Sequence, residues 1–307
     1  MSLNLRELSQ RTQGLAPGHR ACAGCGFPPV VRLLLAVAER PVVVVNATGC
    51  MEVVTTIYPY SAWPVPYLHN AFENAAATAS GVEAAIKALR RRGQLDTDFK
   101  VVAIGGDGGT YDIGLQSLSG ALERGHDLLY ICYNNEAYMN TGIQRSSATP
   151  QGARTTTSPV GTAQRGKPQP RKDLTEIVVA HGIPYAAQAS VSHWADLGRK
   201  LQKALRISGP TFVNVLTPCP PGWDYPPEKT VEVARLAVES RYWPLYEVEG
   251  GRYRITYVPR EPVPVRAFLE VQGRFRHLLQ DEAAVADLQR WVDANWERLR
   301  ARKAKDH

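Results

Sequence analysis

No apolar stretch in this sequence comes near the ~20 consecutive residues that a membrane-crossing helix requires, which sets aside a helical span. The N-terminus, MSLNLRELSQ, lacks the apolar core of a secretory signal, so the chain reads as cytoplasmic. Cysteine is scarce: five in 307 residues, an odd count that argues against a disulfide framework and turns attention to metal or cofactor ligation. Internal repeats and low-complexity tracts are absent. Acidic residues are missing from Arg145 to Lys172, where six basic ones stand, and the tail from Arg290 holds six basic against three acidic. A net charge of +7 invites a nucleic-acid reading. Those basic stretches have no interleaved aromatics and no nucleic-acid motif, however, so they read as surface for an acidic protein partner or a phosphate-bearing substrate, with no nucleic acid and no membrane.

What is present is enough apolar residue, 44%, to bury a large core. Four near-continuous apolar runs, Pro41 to Val45, Lys100 to Gly105, Leu128 to Tyr133 and Thr211 to Leu216, have the pattern of strands covered on both faces. Helical patterns fall at Pro28 to Glu39, Ala71 to Arg92, Leu115 to Arg124, Asp173 to His181 and Ser192 to Ile207. Strand and helix alternate, which predicts an α/β fold, a mostly parallel open sheet with helices on both faces. Residues 1–225 form the main domain in this reading. Residues 226–307 form a C-terminal extension, with a short helix, a hairpin around VEGGRYRITYV and a polar helical arm from about Asp281 for subunit contacts. The Thr-, Ser-, Gly- and Pro-rich stretch Thr141 to Pro170 breaks the rhythm, and a loop of that length is functional or disordered.

The run VVAIGGDGG ends a buried strand on one carboxylate, Asp107, among glycines. In parallel α/β sheets ligands bind outside the carboxyl ends of the strands, and glycines there allow close backbone approach to an anion and left-handed angles. A lone carboxylate would repel phosphate unless a divalent cation lay between them. Mg²⁺ takes about six oxygens at ~2.1 Å, commonly from one or two protein groups plus substrate phosphates. Asn134 and Asn135, at the end of the next strand with 25 residues between Gly108 and Asn134, supply a candidate second ligand.

Cys22 and Cys25 form C-x2-C in HRACAGCG; Cys50 ends VVVVNATGC just past a strand, and Cys219 lies in VLTPCPPGW just past another. Cys132, inside an apolar strand, reads as a small buried residue. The other four could hold zinc or a [4Fe-4S] cluster. Structural zinc usually draws on a second close pair, whereas Cys219-Pro220 has the Cys-Pro order that recurs in iron–sulfur proteins.

GDG followed by NN resembles the diphosphate-binding signature of thiamine diphosphate enzymes. Together with HRACAGCG, NATGCMEV, HNAFENAAATASG, NNEAYMNTGIQRSSATP, TPCPPGW and QGRF (Gln272 to Phe275), it makes most of the chain resemble the β subunit of 2-oxoacid:ferredoxin oxidoreductases, the pyruvate synthase family. The resemblance implies thiamine diphosphate and Mg²⁺ held by Thr48, Gly49, Gly106, Asp107, Gly108, Gly109 and Asn135, with Asp107, Asn135 and the Ala137 carbonyl as metal ligands. It implies one [4Fe-4S] cluster on Cys22, Cys25, Cys50 and Cys219. Asn140 would hydrogen-bond substrate, and Thr110 and Asp112 would face it, although Asp112 could equally cap the next helix; His69 reads as structural.

The implied reaction is oxidative decarboxylation of a small 2-oxoacid to acyl-CoA and CO2, with electrons passing one at a time to the cluster and on to ferredoxin. The substrate order is pyruvate first, oxalate or another short acid second, and 2-oxoglutarate last. No second thiamine-type domain supplies the glutamate that faces the aminopyrimidine, and no C-x2-C-x2-C-x3-C-P run is present. Both are therefore expected from partner α and γ/δ-type subunits. A redox-neutral thiamine decarboxylase or lyase would lack the four cysteines, and a zinc-stabilised non-catalytic module would make GDG and NN accidental.

Overall fold

The computed structural model describes residues 4–11 and 14–304. Eight strands, β1 (Val42–Ala47), β2 (Tyr67–Asn70), β3 (Lys100–Gly106), β4 (Leu128–Asn134), β5 (Tyr185–Ser190), β6 (Thr211–Leu216), β7 (Leu245–Glu249) and β8 (Arg252–Tyr257), form one sheet in the order β2-β1-β3-β4-β6-β5-β7-β8. The first six are parallel, and β7 and β8 join antiparallel at one edge.

Each central strand is buried along its whole length, and successive residues serve opposite faces. Val44, Ile104 and Ile131 pack with the helices Phe27–Val37 and Trp194–Arg206. Val45, Ala103 and Tyr130 pack with Ala75–Arg91 and Leu115–Glu123. Two faces, each with its own helices and apolar core, make the doubly covered α/β sheet that the alternation predicts.

Two parallel strands are not legible as apolar runs. β2, YLHN, is short and half exposed at the edge, and β5, YAAQAS, is alanine-rich yet buried throughout. Their assignment comes from pairing with β1 and β6, which supplies what their side chains do not. The segment after Tyr225 carries β7 and β8 into the same sheet, and its helices Thr230–Glu239, Val265–Glu270 and Glu282–Ala304 enclose a third apolar cluster around Trp223, Tyr242, Trp243 and Phe268. Among the described residues no helix is long and apolar enough to cross a membrane.

The strand order reverses between β1 and β3: the chain runs from β1 out to β2 and returns past β1 to β3. A crevice opens at the carboxyl ends of strands flanking such a reversal. Thr48, Asp107 and Asn135 all lie there, just beyond β1, β3 and β4.

Candidate cofactor site

A cavity at this switch point is lined by Thr48 to Cys50, Gly106 to Gly109, Asn135 and Ala137 to Thr141, with Phe72 and Tyr133 as walls. β3 delivers Asp107 into it, and the chain then winds into a π-helical turn, Gly108–Ile113. Such turns are rare and concentrate at functional sites.

The glycines are needed for room, not for left-handed angles. None of Gly105 to Gly109 has positive φ. A Cβ on Gly108 would stand within 2.5 Å of three Tyr138 ring carbons, one on Gly106 3.2 Å from Tyr133, and one on Gly109 3.0 Å from the Phe72 carbonyl. The Tyr138 hydroxyl donates to the Gly108 carbonyl at 2.9 Å, which fixes ring and backbone in contact.

Asp107 is 1% exposed. Its Oδ2 accepts from the Ser146 hydroxyl at 2.5 Å and its Oδ1 from the Asn135 backbone N–H at 3.2 Å. Burial outweighs these bonds and pushes the carboxyl up to about 8. The Asn135 side-chain oxygen lies 2.8 Å from the Ala137 carbonyl oxygen and 2.9 Å from Asp107 Oδ1. Turning the amide over would make both contacts hydrogen bonds; with oxygen inward, three oxygens meet with no proton between them. That spacing matches neighbouring ligands of an octahedral Mg²⁺, whose oxygens at ~2.1 Å stand about 3 Å apart. The donor set therefore fits the ion.

The four candidate thiols come from three segments of chain. Cys50 opens the short helix Cys50–Thr55 beyond β1 and lines the same cavity as Asp107. Cys219 precedes the turn of helix Pro220–Trp223 beyond β6, and the Trp223 indole N–H donates to the Asn135 carbonyl at 2.7 Å, tying the cysteine turn to the oxygen cluster. The Cys22–Cys25 loop lies against the approach to Cys219 and the helix Thr230–Glu239: a Cβ on Gly26 would meet Thr217 at 2.9 Å, and the Thr230 hydroxyl donates to the Gly24 carbonyl at 2.6 Å. Burial, with repulsion among the four thiolates, pushes Cys25 and Cys50 up to about 12 and Cys219 to about 11. Among the described residues no three His, Cys, Asp or Glu side chains close tightly around a single ion.

The family described as thiamine pyrophosphate enzyme, C-terminal TPP binding domain, matches residues 47–215. Pyruvate synthase subunit PorB of Methanocaldococcus jannaschii is 59% identical over 285 residues, 92% of this chain and 95% of its own length. This chain belongs to the β-subunit family of 2-oxoacid:ferredoxin oxidoreductases. It is a subunit of a thiamine diphosphate-dependent oxidoreductase. PorB of Thermotoga maritima is 54% identical, covering 97% of this chain and 96% of the relative, and ketoisovalerate oxidoreductase subunit VorB of Pyrococcus abyssi is 48% identical, covering 92% and 91%. In three dimensions the chain resembles a 2-oxoglutarate:ferredoxin oxidoreductase from Magnetococcus marinus, solved with 2-oxoglutarate, coenzyme A and succinyl-CoA bound, with a TM-score of 0.57 at 20% identity over 74% of this chain and 81% of that one.

Within this family frame the remaining residues fall in distinct places. Asn140 is exposed at the cavity, where Cys50 also lies. Thr110 is fully buried and spends its hydroxyl on the Gly106 carbonyl at 2.7 Å and the Tyr130 hydroxyl at 3.1 Å, so it does not line the cavity. Asp112 accepts from the Ser147 backbone N–H at 3.0 Å; it neither lines the cavity nor caps the next helix, whose cap position is Gly114. His69, half exposed, faces Glu52 at 3.9 Å. Cys132 is fully buried in β4.

Three contacts around the cavity lay beyond sequence reasoning. The long basic loop supplies Ser146 to Asp107, 39 residues away. Glu136, between Asn135 and Ala137, is fully buried and receives Arg274 of the QGRF turn at 2.6 Å, 138 residues away. Tyr138 holds the backbone of Gly108. The conspicuous Glu in NNEAY and Arg in QGRF were the available signals, with nothing local to pair them.

Proposed function

We propose that this chain holds thiamine diphosphate, Mg²⁺ and one [4Fe-4S] cluster in a pyruvate-type enzyme. The complex converts a small 2-oxoacid, coenzyme A and two oxidised ferredoxins to acyl-CoA, CO2, a proton and two reduced ferredoxins. What supports this reading is the convergence of Asp107, Asn135 and Ala137 in the cavity that Cys50 also lines, with the Asn135 amide 2.9 Å from Asp107 Oδ1 and 2.8 Å from the Ala137 carbonyl.

Thiamine diphosphate, when bound, supplies the electron sink that decarboxylation of a 2-oxoacid needs. The residues of this chain position it. Asp107, the Asn135 amide oxygen and the Ala137 carbonyl would hold Mg²⁺, and Thr48, Gly49, Gly106, Gly108 and Gly109 would form the diphosphate cradle. Phe72 and Tyr138, edge to face at 6.0 Å, line the cavity and would wall off water from the bound cofactor. Asn140 would hydrogen-bond substrate from its exposed place at the cavity. Cys22, Cys25, Cys50 and Cys219 would ligate the cluster, close enough to the cavity that Asp107 is felt at Cys50 and Cys219.

Pyruvate is favoured because the relatives at 54–59% identity are pyruvate synthase subunits. A branched 2-oxoacid is the second reading, because VorB at 48% is as similar as PorB of Pyrococcus furiosus at 48%. Partner subunits would complete the site with the aminopyrimidine glutamate and the clusters leading to ferredoxin, docking on the C-terminal segment.

The test is anaerobic purification of the assembled complex and assay with a panel of 2-oxoacids and oxalate, followed by viologen reduction. Asp107→Ala is expected to abolish Mg²⁺-dependent thiamine diphosphate binding and keep the brown, dithionite-bleachable chromophore; Cys219→Ala should do the reverse. Colourless protein with stoichiometric zinc, or an Asp107 variant of undiminished cofactor affinity, overturns the assignment.

A further inference from the structure

Beneath the helix Glu282–Ala304 lies a second cavity of about 230 Å³, which reaches Tyr111 in the π-helical turn but shares no residue with the cofactor cavity. Five cationic side chains line it: Arg171, Lys172, Arg241, Arg298 and Arg302. Asp173 and Glu176 are the acidic residues in its lining.

The charges do not cancel. Arg302 pairs with Glu176, and Arg298 lies 3.7 Å from Asp173. Lys172 donates to the Tyr111 carbonyl and lies 3.8 Å from Asp112, and Arg171 stands 3.5 Å from Glu136. Arg241 has no carboxylate within ion-pair distance among the described residues. Its Nε is buried without a hydrogen-bond partner. Arg171 is partly satisfied: Nη2 donates to the Tyr242 carbonyl at 2.7 Å, and Nη1, which makes no hydrogen bond, faces the Glu136 carboxylate at 3.5 Å. Buried donors in folded proteins are almost always satisfied, so the orphaned Arg241 Nε on this cationic cavity calls for an acceptor.

The backbone points the same way. Arg241 has φ of 60°, just past the end of the helix Thr230–Glu239, where the left-handed conformation favours glycine. An arginine is held there at a conformational cost, its guanidinium over the Trp296 ring at 5.0 Å. On the facing wall the Arg171 guanidinium is stacked on Tyr242, Trp243 and Trp291 at 4.5–5.2 Å, which fixes its direction. Rigid, planar, permanently charged donors of this kind suit oxyanions.

We propose that this cavity binds one phosphate-class oxyanion, either free or as the end group of a larger molecule. Its volume is below the ~300 Å³ at which pockets begin to enclose whole drug-sized ligands, so a single tetrahedral head with its water fits and a complete nucleotide does not. Arg298, 57% exposed, stands where solvent reaches the cavity. The proposal is independent of the cofactor reading.

The test is titration of the full-length chain with inorganic phosphate by calorimetry and ³¹P NMR, at fixed ionic strength with chloride as the balancing anion. The expected result is saturable one-site binding, weakened at least tenfold in Arg241→Gln and several-fold in Arg298→Gln, and unchanged in Asp107→Ala. Circular dichroism checks each fold; should Arg241→Gln fail to fold, Arg298→Gln and the charge-retaining Arg241→Lys carry the test, with Arg241→Lys binding more tightly than Arg298→Gln. Glycerol phosphate binding as tightly as phosphate assigns the site to an end group, and phosphate binding alone assigns it to the free ion. Absence of saturable binding overturns the proposal. So does binding undiminished in the arginine variants, or lost only in Asp107→Ala, which would place the ion on the cofactor loop.

Discussion

Replacing Glu136 by glutamine keeps the shape of the side chain and removes one buried charge. Glu136 sits at φ of 64° between Asn135 and Ala137, two of the three proposed Mg²⁺ ligands, fully buried. It accepts from the Tyr242 hydroxyl at 3.0 Å and Arg274 Nη2 at 2.6 Å, with Arg171 Nη1 at 3.5 Å. The side chains of Arg274 and Arg171 are 3% and 12% exposed, so neither can recover its lost partner by turning to water. Breaking a buried ion pair from one side costs about 3–5 kcal/mol, because the remaining charge stays desolvated. Glutamine keeps an acceptor for Tyr242, which places Glu136→Gln near 3 kcal/mol. In urea the midpoint should fall with the slope unchanged. The double variant with Arg274→Gln should be less destabilised than the sum of the singles, with a coupling of about 1–3 kcal/mol. Relaxation at residue 136 also moves Asn135 and Ala137, so Mg²⁺-dependent cofactor affinity should fall by roughly tenfold or more, equivalent to ~1.4 kcal/mol. A variant within about 1 kcal/mol of wild type that binds the cofactor normally would refute the idea that this network holds the metal loop.

Gly108→Ala should cost about 2–4 kcal/mol, from a methyl driven into the Tyr138 ring plus loss of the Tyr138 to Gly108 hydrogen bond. Gly81→Ala, in the exposed middle of the helix Ala75–Arg91 with nothing near its Cβ, should stabilise by about 0.5–1 kcal/mol in the same denaturation assay. Lys167 is 2% exposed and donates to the carbonyls of Thr149 at 2.7 Å and Pro170 at 3.2 Å; burial lowers its amine to about 8 from an ordinary 10.5. Below pH 8 the folded chain carries a buried charge at a penalty. Between pH 8 and about 10 the folded amine loses its proton while the unfolded one keeps it, so stability relative to Lys167→Met should rise with pH. A flat difference across that window would count against the burial argument.

The amino-acid sequence on its own determined the parts governed by nearest neighbours along the chain. Apolar runs such as Lys100 to Gly105 fixed the central strands, because a segment covered on both faces has no polar alternation. GDG and NN ended adjacent parallel strands, and one helix plus one strand must return the chain to the same rim, so Asp107 and Asn135 met as their spacing implied. Cys50 and Cys219 followed β1 and β6 for the same reason. What only the tertiary structure decided was which distant groups satisfy the buried ones. The glycines of the loop yield to Tyr133 and Tyr138, the basic loop lends Ser146 to Asp107, and Arg274 crosses from the C-terminal segment to Glu136. Thr110 and Asp112, near Asp107 in sequence, turn to Tyr130 and Ser147 instead. A buried polar group must find a partner, but its identity depends on how separate layers stack, and no local periodicity records a contact between residues 39 or 138 positions apart.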